Sequence, residues 1–207
     1  MSTLDDSGLD AAQRDTIVKS WRSLGSPGAA WTGRERVAIV AEARSARRDE
    51  PVTGELDETT TRAVRTMASA PWTIRGTWLE SLVADGLTMA QYVEAAGVVA
   101  RTVAIDTFLA SLGLDEAQLP DPEDGMPTEA IDERARRVQA WVPMVGGASI
   151  TQALSLVPSE NTALETLHGA LYLTYEEMSD PTPGKALTRP QMELIAARAS
   201  AINECFY

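Results

Sequence analysis

Apolar residues recur along most of this chain at intervals of three and four, the spacing of one helix face. Asp10-Ala-Ala-Gln13 has the form of a capping box and opens a helix running to about Leu24. The stretch RERVAIVAEARSARR after Gly33 predicts a second helix, which ends before Pro51. Residues 57–70 predict a third, stopped by Pro71, and residues 73–85 a fourth, stopped near Gly86. Thr88 then opens the longest helix, with Gln91 placed to reciprocate its cap, and Gly113 closes it.

That long helix carries Met89, Tyr92, Val93, Ala96, Val99, Ala100, Val103, Phe108 and Leu112, an apolar surface wide enough to need several neighbours. Gln91, Glu94, Arg101, Thr102 and Asp106 fall on one arc of about 140°. The arc is expected to be a solvated or subunit-facing stripe in preference to a catalytic face. Residues 114–128, rich in proline and acid, read as a linker. Beyond it the pattern predicts a helix near 129–140, a short one near 148–155 and another from about Glu160 to Met178. A terminal helix follows over 188–204, with Thr188 at its cap, Pro190 in its first turn and Gln191 completing a capping box. Strand signals are weak throughout, so the expected fold is all-α.

Two segments repeat. GRERVAIVAEARSA (33–46) aligns with TRPQMELIAARASA (188–201) at an offset of 155, sharing an arginine, a serine and two alanines. In that register Glu193 corresponds to Ala38 and Cys205 to Glu50. The expected organisation is one helical unit over 1–115, a linker and short helix over 116–140, and the opening of a second unit over 141–207.

Composition narrows the chemistry. Thirty acidic against 18 basic residues leave a net charge of −12, which disfavours nucleic acid and anionic membranes as partners. No uninterrupted apolar stretch approaches the roughly 20 residues of a spanning helix, and the acidic N-terminus is unlike a secretory signal. The single cysteine, Cys205, can form no internal disulfide and no cysteine-cluster metal site. A cytoplasmic protein without a cofactor is expected. The five tryptophans, Trp21, Trp31, Trp72, Trp78 and Trp141, read as core anchors at helix ends. His168, the only histidine, reads as a structural residue.

Two stretches resemble the alkylhydroperoxidase AhpD-like (carboxymuconolactone decarboxylase-like) superfamily. The first is ADGLTMAQYVEAAGVVARTVAIDTFLASLG (84–113), which is similar to the long central helix of such domains. The second and more specific is ALSLVPSENTALETLHGALY with LTRPQMELIAARASAINECFY, within 153–207. There Glu193 precedes Cys205 by twelve positions, as a glutamate precedes the first redox cysteine in that family.

The resemblance implies an AhpD-like helical bundle, one complete degenerate copy plus the start of a second, usually oligomeric. It implies a redox thiol at Cys205, a proton-relay carboxylate at Glu193, peroxide as oxidant and a thiol or dithiol reductant. The family's second cysteine, sometimes a selenocysteine, would fall at position 208, and its histidine has no counterpart here. Selenocysteine at 208, a genuine stop after gene decay, a frameshift or the boundary of a fragment each account for that end, and the nucleotides after codon 207 distinguish them. As written, Cys205 follows a helix C-terminus and lies two residues from a terminal carboxylate; both disfavour a thiolate. The 207-residue chain is therefore expected to be a poor peroxidase. The alternatives are a non-catalytic helical module for oligomerisation or binding and, last, a decarboxylase-like acid–base enzyme.

Overall fold

The computed structural model describes residues 9–147, 149–182 and 187–202. Its regular elements are helical: α1 Ala11–Arg22, α2 Gly33–Arg47, α3 Glu58–Ser69, α4 Gly76–Ala84, α5 Met89–Ser111, α6 Pro158–Leu171, α7 Tyr175–Met178 and α8 Arg189–Ile202. The fold is all-α. Among the described residues no helix is long and apolar enough to cross a membrane.

Caps set the boundaries. Thr32 and Glu35 form a reciprocal box before α2, and Thr88 and Gln91 do the same before α5. The helix expected over 160–178 is instead two. Tyr172 leaves helical geometry, Leu173 is buried, and Thr174 with Glu177 builds a new capping box that starts α7. The Thr-x-x-Glu signature at 174–177 was readable, but the surrounding periodicity masked it.

The helix expected near 129–140 does not form. That stretch is irregular, with a single antiparallel bridge between Arg136 and Met144. Backbone bonds tie the segment before it to the α1–α2 loop, from Glu123 N–H to the Gly25 carbonyl, Thr128 to Gly28 and Glu129 to Ala29. Those bonds fix the path of the chain entering this stretch along the loop.

α5 is the hub, packed by α1, α2, α3 and α6. One continuous core includes Ile17, Leu24, Ile39, Val40, Val64, Leu82, Val98, Ile105, Val157 and Leu167, so residues on both sides of position 115 share it. Trp21 and Trp31 anchor it as expected, while Trp72 and Trp141 are exposed. Trp141 follows a stretch that forms no helix, and the position of Trp72 just after α3 carried no information about what would cover it.

Candidate functional site

The polar arc of α5 is not solvated. Glu94, Arg101, Thr102 and Asp106 are all buried, and this corrects the reading of a surface stripe. The Arg36 guanidinium on α2 donates to Glu94 and, at 2.9 Å, pairs with Glu160 in the first turn of α6. Arg101 donates to both Glu160 oxygens at 2.8 and 3.1 Å and to the Ser23 hydroxyl at 2.9 Å. The Ala30 N–H takes the remaining Glu94 oxygen at 2.6 Å. One turn further on, Arg44 grips Asp106 in a bidentate pair at 2.6 and 2.9 Å and lies over the Trp21 ring.

Two glycines make the approach possible. A Cβ at Gly97 would stand 2.5 Å from a Glu160 oxygen, and one at Gly28 would collide with the Glu94 carboxylate. Burial pushes the Glu94 carboxyl above its ordinary value, and Arg36 only partly offsets this. Arg36 also loses solvation, but its two carboxylates raise it net. All four carboxylate oxygens of Glu94 and Glu160 have a protein donor, so this cluster clamps α2, α5, α6 and the 26–32 loop together.

The residues singled out from sequence lie elsewhere. Glu193 sits on the exposed side of α8 and accepts from Arg189 Nε at 2.5 Å and from the Tyr172 hydroxyl at 3.1 Å. Those two bonds, Arg189 first, hold its carboxyl below the usual range. Arg189 also donates to the carbonyls of Glu177, Met178 and Asp180, which fixes the start of α8 against the end of α7. Cys205 falls outside the described residues.

His168 comes closer to Glu193 than its sequence position suggested. Its Nδ1–H donates to the Leu173 carbonyl at 2.5 Å, and its ring meets Tyr172 edge-on at 5.5 Å and Tyr175 at 5.6 Å. Tyr172 therefore touches the histidine with its ring and Glu193 with its hydroxyl. The break after α6 creates this juxtaposition, and an uninterrupted helix would have hidden it. Among the described residues no three His, Cys, Asp or Glu side chains converge as metal ligands would.

On the opposite side of α5 lies an open groove of about 780 Å³. Its floor is the stripe Tyr92, Ala96, Val99, Ala100, Val103 and Ala104, and its rim includes Met67 and Trp72. Burial pushes the Tyr92 hydroxyl up to about 12, so it stays protonated there. No known protein family, curated protein sequence or solved structure matches this chain.

Proposed function

We propose that this chain is an AhpD-like thiol oxidoreductase in which Cys205 carries the reacting sulfur. The observation that carries the reading is the register of Glu193, the Ser-Ala-Ile-Asn run and Cys205 on one terminal segment. The described part of that segment is helical and capped by Thr188 and Gln191. The Cys205 thiolate attacks one peroxide oxygen and the O–O bond breaks. A sulfenic acid forms, and the leaving oxygen departs as alcohol or water after taking a proton. A dithiol reductant then returns the sulfur to the thiol, with disulfide and water as products.

Glu193 is a relay residue in this reading, held ionised by Arg189. Nine residues of helix place it about 13 Å along the axis from Ile202. Tyr172 donates to Glu193 and meets His168 edge-on, so these two are the described groups through which Glu193 could exchange a proton. A reducing, cytoplasmic location suits a lone free thiol.

The runner-up is a non-catalytic helical module. It draws on α2, whose Ala38 and the nearby Glu50 stand where α8 and its continuation have Glu193 and Cys205. Peroxide consumption with a small dithiol as reductant separates the two. For protein extended through the second redox residue after position 207, the thiol reading expects turnover that falls to the buffer background in Cys205→Ser and slows several-fold in Glu193→Gln. Turnover of that extended protein that is unchanged by Cys205→Ser, or absent altogether, overturns it in favour of the module.

A further inference from the structure

We propose that α8 of one molecule docks into the α3–α5 groove of a second copy of this chain, and that two such contacts close a symmetric dimer. The inference rests on packing alone and is independent of the thiol reading.

The first observation is that α8 is nearly bare. Of its described side chains only Met192 is buried, while Leu194, Ile195 and Ile202 are 71%, 57% and 69% exposed. A 14-residue helix is marginal in water without a partner for its apolar face. The second observation is a receptor of the same length. The groove floor runs along α5 from Tyr92 to Thr107, about 22 Å, and α8 is about 21 Å long. Small side chains on that floor let a helix approach closely, and Trp72, 59% exposed on the rim, has apolar surface to offer it.

The repeat supplies the identity of the occupant. α2 packs on α3 and α5 with Ile39 and Val40 fully buried, and its last residue, Arg47, reaches the groove. Leu194 and Ile195 of α8 occupy the corresponding positions. α8 thus carries the apolar pattern that these helices already accept. The chain's own α8 is held away from this groove. Arg189 pins it to the α7 carbonyls, and no residue of α6, α7 or α8 lines the groove. Stable interfaces bury roughly 1,200–2,000 Å². Reciprocal exchange about a twofold axis doubles the buried area.

Sedimentation velocity on the full chain carrying Cys205→Ser, over a wide concentration range, tests this without any contribution from thiol chemistry. A dimer is expected. Two variants address the two surfaces, Leu194→Asp with Ile195→Asp on α8 and Ala100→Arg on the groove floor. Each is expected to weaken dimerisation about tenfold or more while far-ultraviolet circular dichroism shows an intact fold. If Ala100→Arg fails to fold, Thr107→Arg, exposed at the end of the groove, replaces it. A parent chain that stays monomeric overturns the proposal. So does a groove variant that dimerises like the parent, because α8 would then be pairing with something other than the groove.

Discussion

α2 and α8 have related sequences and opposite fates. α2 begins with a capping box and α8 with the Gln191 side chain accepting from the Thr188 N–H and hydroxyl, and both carry apolar residues at matching positions. In α2 the paired positions Ile39 and Val40 are sealed against α3 and α5, and Arg36 and Arg44 reach buried carboxylates on α5. In α8 the paired positions Leu194 and Ile195 face outward, and the polar bonds are local ones to Tyr172 and to carbonyls of α7. Periodicity specifies that a helix has an apolar face. What covers that face is a property of the rest of the molecule. α2 is therefore a structural strut, whereas α8 is free to serve as a contact element and to carry a site.

The sharpest way to break the contrast is to remove a charge on the α2 side. Arg36→Ala strands the carboxylates of Glu94 and Glu160 around one remaining guanidinium, Arg101. A loss of about 3–5 kcal/mol is expected in urea denaturation, the cost of an uncompensated buried charge.

Next comes a matched pair of truncations. Ile39→Ala should cost about 2–5 kcal/mol by leaving a cavity between α2 and its neighbours. Leu194→Ala, at the equivalent position of α8, should stay within about 0.5 kcal/mol when measured at dilution. Equal losses would mean that α8 is buried in the isolated chain, and the contrast would be gone.

The smallest effect concerns acid. Glu42 of α2 is buried and accepts from the Thr53 N–H and hydroxyl and from Arg65. Burial pushes its carboxyl up, but these bonds outweigh burial and hold it below 4.5. A folded-state value below the unfolded one stabilises the fold above pH 4.5 and loses that contribution as pH falls through the folded value. Glu42→Gln should therefore cost about 1–3 kcal/mol at neutral pH and flatten the acid limb of the stability profile below about pH 4.5. Thermal melts at a series of pH values report this.

The helices were legible because capping residues and apolar spacing are local signals. Thr32, Thr88 and Thr188 announce their helices within four residues. The arc on α5 was misread because its period matches a solvated face and a charge-lined core alike. The deciding residues, Arg36 and Glu160, lie 58 and 66 positions away from Glu94. The Tyr172 bridge between His168 and Glu193 was invisible for a related reason, since it depends on a helix break that places α8 beside the end of α7.

The linear chain by itself determined an all-helical protein of strong negative charge, with one thiol near its end and a glutamate in register with it. Those properties follow from composition and near-neighbour geometry. Only the tertiary structure decided that the polar face of α5 is an internal clamp, that an apolar groove lies open along α5, and that α8 is left largely uncovered. Burial of an apolar or charged face depends on contacts between segments far apart in the chain, and helical periodicity says only that such a face exists.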